Sequence, residues 1–355
     1  MTKIRTNEKK PSIVFSNKAF IVSFMMSILV IYIHANNLHY YGLQNSSGNI
    51  AYIIVKTIGT VLGGVAVPFF FMISGYWFFR FNIFNHNSTD ILKSKMKKKV
   101  NTVLIPYIIW NCFGMVFYMV VTRIPTLSGM MNNGKIIGIT LENVLSGVFL
   151  HKYYFIFWYM QDLIILMILT PVFILMLRKK YISIIGMGII FLVTYFDVNI
   201  PLINSSSVWF FLIGGFLAVY YQEFFEKKSE KSYLWFLLFI LYMIVMYFEI
   251  PVIAKIGYLI SPFVMWKAMD FIIGEKQLNQ KVSWFKKQSF FIYAVHVIPV
   301  TVVGHIFTWF GSGTGWALFS YFMTPIVTIM GIYILAFILK RWTPKLYDII
   351  VGNRG

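Results

Sequence analysis

Two apolar stretches near the start of the chain contain residues that could do chemistry. His34 lies in Ile-Tyr-Ile-His-Ala, near the end of an apolar run that begins at Ala19, and the next run contains Pro-Phe-Phe-Phe-Met-Ile-Ser-Gly-Tyr from Pro68 to Tyr76. An ionisable ring inside an apolar span is a functional candidate, because water does not stabilise its charged form there. A histidine that packs and hydrogen-bonds between helices explains the same position. Both interpretations of His34 stay open on position alone.

Asp162 is a second ionisable residue in an apolar run, in Trp-Tyr-Met-Gln-Asp-Leu. A carboxylate there needs a partner, and Lys56, Lys152 or His34 could provide one. Asp162 could therefore orient His34, or it could only join two helices.

His296 ends the segment Ser-Phe-Phe-Ile-Tyr-Ala-Val-His, midway through a late apolar run. A buried histidine beside Tyr293 could be catalytic, although structural hydrogen bonding is the commoner role. The sequence contains no HExxH, GxxxxGK or GxSxG motif. Cys112 is the only cysteine, so neither a disulfide framework nor a cysteine-based metal site is expected.

Cations and small residues near the end of the second apolar run could bind an anionic donor. Ser74 and Gly75 allow close approach of a helix or a ligand, and on physical grounds helix packing with an interfacial aromatic belt is favoured. Arg80 and the lysines from 93 to 99 follow. These cations could bind the phosphates of a nucleotide or coenzyme, but ordinary membrane topology explains them equally well.

The composition predicts the elements that must position these residues. Of the 355 residues, 59% are apolar and only 12% are charged, which is typical of a polytopic membrane protein. The apolar stretches are mostly long enough to cross about 30 Å of hydrocarbon as helices. They predict an all-α fold with ten spans, at roughly 19–37, 52–79, 101–122, 155–177, 181–197, 207–222, 232–249, 252–273, 287–309 and 315–339.

The net charge of +19 follows membrane topology and does not indicate nucleic-acid binding. All but five of the 31 lysines and arginines fall in alternate loops, the five being Lys56, Arg123, Lys135, Lys152 and Lys255. The positive-inside rule then predicts that both termini are cytoplasmic. This agrees with an even number of spans.

The sequence predicts one membrane domain over residues 19–340, with a basic cytoplasmic segment at 1–18 and a cytoplasmic tail at 341–355. The external loop from Thr122 to Tyr154 contains the apolar stretch Leu141 to Leu150, which is too short to span a membrane. We expect a re-entrant or interfacial helix there, carrying Glu142.

Taken together, the motifs resemble the acyltransferase 3 family of bacterial integral-membrane acyltransferases. The matching pieces occur in order along most of the chain: His34, Phe70 to Gly75, Ile105-Pro106-Tyr107, Trp158 to Leu163, Phe210 to Gly215, and Ser289 to His296. One departure is Ser23, since family members often carry arginine eleven residues before the histidine. Arg80 or a lysine of 93–99 could replace that arginine, or the chain belongs to a divergent branch.

The resemblance implies transfer of an acyl group, usually acetyl, from cytoplasmic acetyl-CoA to a sugar hydroxyl of a cell-envelope polysaccharide. No permanently bound cofactor and no metal are expected, and acyl-CoA is the co-substrate. The expected partners are the bilayer of the bacterial cytoplasmic membrane, the glycan acceptor and other polysaccharide-assembly proteins. We assign His34 and Asp162 to catalysis, and the donor site to Ser74, Gly75, Arg80, Lys97, Lys98 and Lys99. The acceptor is assigned to Asn37, Glu142, Trp158, Tyr159, Tyr293 and His296.

A polysaccharide or small-solute transporter or flippase is one alternative function, and a membrane sensor or the membrane part of a larger complex, acting by binding alone, is another. Lys56, Asp162 and Lys255 lie within predicted spans and would suit a substrate pathway. Repeat halves with broken helices, which many transporters show, are not recognisable in the sequence.

Overall fold

The computed structural model describes residues 11–80, 88–124, 138–274 and 289–353, and in these residues the regular structure is helical, without strands. This agrees with the predicted all-α membrane class. The helices are α1 (Ile13–His34), α2 (Ile50–Val55), α3 (Ala66–Phe79), α4 (Ser88–Lys99), α5 (Ile105–Val121), α6 (Leu141–Phe149), α7 (Trp158–Ile168), α8 (Thr170–Leu177), α9 (Lys180–Tyr195), α10 (Ser205–Tyr220), α11 (Gln222–Glu226), α12 (Ser232–Tyr247), α13 (Pro251–Ile272), α14 (Ser289–Val295), α15 (Val297–Phe307), α16 (Gly313–Trp342) and α17 (Pro344–Ile350).

Five helical stretches are long and apolar enough to cross a membrane: Ile13–Tyr41, Ile50–Phe79, Asp90–Val121, Pro251–Ile272 and Gly313–Trp342. Two bent pairs, Phe155–Ile168 with Thr170–Leu177 and Ser289–Val295 with Val297–Phe307, raise the count to seven if each pair is one span. Helices α9, α10 and α12 are apolar but only 16 residues long. The chain is thus a multi-pass membrane protein, and its ten spans and the sides of its termini stay predictions.

The described residues form two compact units, each built from two separate stretches of chain. The first unit comprises the described residues up to Ile91 together with Leu169–Leu335. The second comprises Leu92–Ile168 and the residues from Ala336 onwards. His34 and His296 belong to the first unit, whereas Asp162 and Lys97 to Lys99 belong to the second.

A proline explains why the helix carrying His296 is broken. Pro299 lacks a backbone N–H, and its ring collides with the carbonyl of Val295, four residues earlier. Helices α14 and α15 accordingly meet at His296 with a bend of 59°. The bend places His296 at the break between these two helices.

Glycines bring α1 close to the irregular segment that follows α2. Residues Lys56–Leu62 form a π-helical stretch and Gly63–Val65 a 3-10 turn. A Cβ on Gly59 would lie 3.3 Å from the carbonyl oxygen of Tyr32, and one on Gly63 would lie 2.5 Å from the side chain of Ile33. These contacts support the last turn of α1, which carries His34.

Gly75 is explained by an equally close crossing of α3 and α10. A Cβ on Gly75 would lie 2.0 Å from the carbonyl oxygen of Phe211, and one on Gly214 would lie 1.9 Å from that of Met72. Neither position admits a larger residue without moving the backbone. The close helix approach expected of Ser74 and Gly75 therefore exists, and Phe211 fills it.

Three segments differ from the predicted boundaries or add detail to them. Helix α1 begins at Ile13, capped by the Ser12 hydroxyl, and so includes Lys18 from the predicted basic segment. Helix α6 forms where the short external helix was expected, with Thr140 as its cap and exposed leucines at 141 and 145. The predicted tail contains α17, whose Ile350 carbonyl accepts a hydrogen bond from Trp110.

Candidate functional site

The structure brings His34 and His296 together in the first unit. The centroids of the two imidazole rings lie 5.1 Å apart, with 47° between the ring planes. His34 is half-buried at the end of α1, whereas His296 is completely buried at the break between α14 and α15. Two residues separated by more than 250 positions in the sequence thus form one histidine pair.

The surroundings of His296 identify its tautomer. Its Nδ1 lies 2.8 Å from the carbonyl oxygen of Tyr293 and 3.2 Å from that of Ile292. A carbonyl oxygen only accepts hydrogen bonds, so in the neutral ring Nδ1 carries the proton and Nε2 keeps a lone pair. Among the described residues, Nε2 has no hydrogen-bond partner. His296 therefore offers a fixed, buried basic nitrogen beside His34.

Two residues assigned to the acceptor, Asn37 and Tyr293, follow His34 and precede His296 by three positions. The buried amide of Asn37 donates to the Ala317 carbonyl at 2.8 Å, and its Oδ1 has no partner within the part of the chain that the structure describes. The Tyr293 ring is half-buried, with its centroid 6.3 Å from that of His296. The predictions that these two residues bind substrate stay untested.

Arg80 forms an ion pair with Glu226, a residue that no sequence motif indicated. Its Nε donates to Glu226 Oε1 at 2.5 Å, and the same oxygen accepts a hydrogen bond from Tyr76 at 2.6 Å. The Arg80 side chain is only 2% exposed. Arg80 is consequently neutralised and enclosed, which weakens its assignment as a phosphate ligand and as the replacement for the family arginine.

A second buried ion pair holds the beginning of α1. Lys18 Nζ lies 2.6 Å from Asp270 Oδ1 and 3.9 Å from the centroid of the Trp266 ring. Asp270 also accepts a hydrogen bond from the backbone N–H of Ser229 at 3.1 Å. The charge pattern of the sequence groups Lys18 with the basic N-terminal segment, and no motif points to Asp270. A lysine one turn or more inside an apolar helix was the available signal.

Three further residues of the first unit were candidates: Ser74, Lys56 and Lys255. Ser74 is half-buried beside the crossing already described. Lys56 pairs with Glu249 at 2.7 Å, and Lys255 pairs with Asp197 at 2.5 Å. Two of the three charges that favoured a transporter are therefore parts of ion pairs.

In the second unit, Asp162 is buried on α7, with 3% of its surface exposed. Lys152, one of its three expected partners, donates instead to Asn143 at 3.0 Å, and Lys56 is engaged by Glu249. Next to Asp162, the Gln161 side chain accepts from Tyr107 at 3.3 Å and lies 2.8 Å from His151. No sequence motif predicts the contact between His151 and Gln161.

The other predicted residues of the second unit differ in exposure. Lys97 and Lys98 are exposed at the end of α4 and Lys99 is half-buried. Trp158 and Tyr159 are half-buried in the first turn of α7, and Glu142 is exposed in the first turn of α6. Their assigned roles stay predictions.

Comparison with known proteins gives one result. A family model described as an acyltransferase domain matches residues 24–341, which is nearly the whole chain and includes both histidines. No curated protein and no solved structure matches the chain.

Proposed function

Because the chain belongs to the acyltransferase 3 family, we propose that it moves an acyl group, in the first instance acetyl, from cytoplasmic acyl-CoA to a sugar hydroxyl. The acceptor is a cell-envelope or extracellular polysaccharide, or its precursor. The protein acts in the bacterial cytoplasmic membrane, with both termini in the cytoplasm. The finding that carries this proposal is the histidine pair inside the matched region.

The pair suits acyl transfer because it offers a base away from bulk water. His34 is the accessible ring of the two, and it acts as general base on the acceptor hydroxyl or carries the acyl group transiently. His296 has its proton fixed on Nδ1 by two carbonyl groups, so its Nε2 can accept an N–H from His34, directly or through one water. This support would fix the orientation of the His34 ring, as a third group does in other catalytic arrangements.

The general-base reaction balances with these groups alone. The acceptor hydroxyl passes its proton to His34 while its oxygen bonds to the thioester carbonyl carbon. The tetrahedral intermediate then collapses, the carbon–sulfur bond breaks, and His34 returns the proton to the departing thiolate. The products are an O-acyl ester and free CoA.

The cations that would hold the coenzyme phosphates are Lys97, Lys98 and Lys99. Arg80, although in the predicted donor set, has its charge balanced by Glu226 and little exposed surface. Two of the three lysines are exposed, as a ligand for a soluble anion must be. A point charge on a flexible stem is a common way to bind phosphate.

The test measures hydroxylamine-labile acyl ester on surface glycans of cells that express the wild-type chain or His34→Ala at equal membrane levels. His305→Ala is the matched control, since His305 lies on α15 and its ring contacts Tyr40 and Trp309. We expect His34→Ala to reduce ester by about 100-fold or more, the lower range of general acid–base catalysis. The control should keep wild-type ester.

Equal ester in His34→Ala and wild type would remove His34 from catalysis. Loss of surface glycan itself, with no ester in either strain, would instead support the transporter.

A further inference from the structure

Three helices of the first unit border a cavity at the place where they end or begin. The cavity lies between the end of α9, the beginning of α10 and the first turns of α13. Its volume is about 330 Å³, at the lower end of the range of about 300 to 1,000 Å³ that is typical of small-molecule sites. The residues assigned above to catalysis, donor and acceptor do not line it. The cavity is therefore separate from the histidine pair and has room for one small molecule.

The lining of the cavity combines apolar and polar side chains. Its buried residues include Ile203 and Leu259, with 8% and 2% of their surfaces exposed. Its exposed residues include Asp197, Asn199 and Lys255. The remaining polar side chains of the lining carry hydroxyls and a second amide. The cavity thus offers many hydrogen-bonding groups beside an apolar surface.

The two charged residues of the lining neutralise each other. Lys255 Nζ lies 2.5 Å from Asp197 Oδ2 and donates to the carbonyl of Tyr195 at 3.1 Å. An ammonium has three N–H donors and a carboxylate has two acceptor oxygens, so both groups keep hydrogen-bonding capacity for a ligand. Because the two charges cancel, the cavity favours an uncharged ligand that is rich in polar groups.

Asp197 occupies a backbone position at which glycine is usual. Helix α9 ends in a Schellman motif, in which the N–H of Val198 donates to the Val193 carbonyl at 2.9 Å. The N–H of Asp197 donates to the Thr194 carbonyl at 3.2 Å and completes the motif. The φ of Asp197 is +52°, in the left-handed region that disfavours a side chain. The fold therefore accepts local strain to hold a carboxylate in the lining of the cavity.

Helices α1 and α13 run in opposite directions. Lys18, near the beginning of α1, pairs with Asp270, near the end of α13. At the other end, Lys56 pairs with Glu249, two residues before α13 begins. Gly59, three residues after Lys56, lies against the last turn of α1. The beginning of α13 and the end of α1 therefore lie at the same end of the unit.

The cavity consequently lies toward the end of the first unit that carries the histidine pair. Lys255 is four residues from the start of α13, about 6 Å along the axis, and His34 is the last residue of α1. A polymer held in the cavity is thus held at the end of the unit where His34 is found.

We propose that this cavity binds one neutral pyranose unit of the acceptor glycan. The inference rests on the proposed function and adds to it a sugar-binding site that is separate from the histidine pair. By holding one unit of the polymer, the cavity raises the local concentration of the polymer's other hydroxyls near His34.

The chemistry of a pyranose matches the lining. The ring carries hydroxyls around its edge and C–H groups on its two faces. The hydroxyls can donate to Asp197 and accept from Lys255 and from the amide of Asn199. The C–H faces suit the buried Ile203 and the half-buried ring of Tyr258.

The experiment measures binding of single sugars to the purified full chain by saturation-transfer NMR. The neutral probes are methyl α-glucopyranoside, methyl α-galactopyranoside and N-acetylglucosamine, and glucuronate is the charged comparison. The protein is held in phosphatidylcholine nanodiscs, because the headgroups of alkyl-glycoside detergents would compete for a sugar site.

The variants are Asp197→Gly and Lys255→Met, and Leu202→Gly is the matched control. Leu202 lies in the same loop and also has a left-handed backbone, with φ +68°, but it does not line the cavity. Both glycine variants relieve strain at one position of the loop, and only Asp197→Gly removes a carboxylate from the cavity. Acyl ester on surface glycans is measured in parallel, at equal membrane levels of each variant.

We expect the wild-type chain to bind at least one neutral probe saturably, and to bind glucuronate more weakly. Asp197→Gly and Lys255→Met should each weaken binding of the neutral probe by about tenfold, the value of one hydrogen bond to a charged group. The melting temperature of Asp197→Gly should stay the same or rise, because glycine adopts the left-handed conformation freely and an exposed ion pair contributes little. Surface ester should fall in Asp197→Gly, and the control should match wild type in both measurements.

Four results would overturn the site. Failure of the wild-type chain to bind any neutral probe, or tighter binding of glucuronate, would exclude a neutral sugar. Wild-type affinity in Asp197→Gly and Lys255→Met would place the bound sugar elsewhere. Equal loss in Leu202→Gly would show an effect of the loop and not of the carboxylate. Unchanged ester in an Asp197→Gly chain that no longer binds the probe would show that the sugar is not the acceptor.

Failure of the proposed function gives a different result. A wild-type chain that binds the neutral probe but forms no ester would overturn acyl transfer, and with it the assignment of the sugar as an acceptor. The binding measurement would in that case still show a sugar site in the cavity.

Discussion

Two regions of the first unit, at opposite ends of α1, differ in whether their buried polar groups have hydrogen-bond partners. Around Lys18, the buried charges have partners at hydrogen-bond distance: Lys18 with Asp270 and Arg80 with Glu226. Around His34, buried polar atoms stay without partners among the described residues, including His296 Nε2 and Asn37 Oδ1. Both regions are buried, so burial alone does not distinguish them.

The difference separates groups that hold helices from groups that are available to a substrate. An unsatisfied buried polar group costs about 1 to 3 kcal/mol, so a cluster of them indicates a place where another molecule, such as ordered water or a substrate, completes the hydrogen bonds. The paired charges near Lys18 satisfy each other, so removing one partner leaves the other charge buried and uncompensated. We therefore expect substitutions in the first region to change stability, and substitutions in the second to change activity.

The largest effect is expected for Lys18→Met, which leaves the Asp270 carboxylate buried without its cation. Removing one partner of a buried ion pair typically costs about 3 to 5 kcal/mol. The measurement is the free energy of unfolding, obtained from denaturant titration of the purified protein in detergent.

The double variant Lys18→Met/Asp270→Leu is the control for this prediction. With both charges removed, most of the lost stability should return, although the backbone N–H of Ser229 then loses its acceptor. If the single and double variants are equally unstable, the cause is lost packing against Trp266, and the ion pair does not stabilise α1 as argued.

The second-largest effect is expected for His296→Asn, which tests the region around His34 where buried polar atoms lack partners. The asparagine amide can replace Nδ1 as donor to the carbonyl groups of Ile292 and Tyr293, but it supplies no basic nitrogen at the position of Nε2. We expect surface ester to fall by about 100-fold, while the free energy of unfolding falls by only about 1 kcal/mol, the usual cost of a single substitution.

The conservative partner of this variant is His296→Gln, whose amide reaches the position of Nε2 but is not basic. It should be as inactive as His296→Asn if a basic nitrogen is required. Activity in His296→Gln near that of wild type would mean that His296 acts only as a hydrogen-bonding group. Instability in both variants would place His296 with the structural residues and remove the contrast between the two regions.

Local patterns in the sequence were sufficient for the membrane class, the helix at residues 141–149 and the candidacy of His34 and His296. Apolar runs and an ionisable ring within them are properties of short segments, and the structure reproduces them. The close helix crossing at Gly75 was also expected from the serine and glycine, but not its partner, Gly214, which lies about 140 residues further along the chain.

Pairings between distant segments could not be predicted. The contacts of His34 with His296, Lys18 with Asp270 and Arg80 with Glu226 join residues far apart in sequence, and a single chain gives no signal for such pairs. The tautomer of His296 depends on the carbonyl groups that the break before Pro299 leaves beside its ring. Each of these follows from tertiary packing and not from local composition.

The smallest effect is expected for Glu249→Gln. This substitution removes the exposed partner of Lys56 and tests whether an ion pair at the surface stabilises the fold. Lys56 donates to Glu249 Oε1 at 2.7 Å and lowers the pKa of that carboxyl. A carboxyl whose pKa is lowered on folding stabilises the protein above its unfolded-state value of about 4.3, and this stabilisation disappears as the pH falls through the lowered folded-state pKa. The melting temperature of wild type should therefore exceed that of Glu249→Gln slightly at neutral pH, and the gap should close in acid. Glu230→Gln, which removes another exposed carboxylate, is the matched control. A gap for Glu249→Gln as large as that for Lys18→Met would show that pairing matters more than burial, and the division between structural and functional polar groups would then have to be drawn by partner alone.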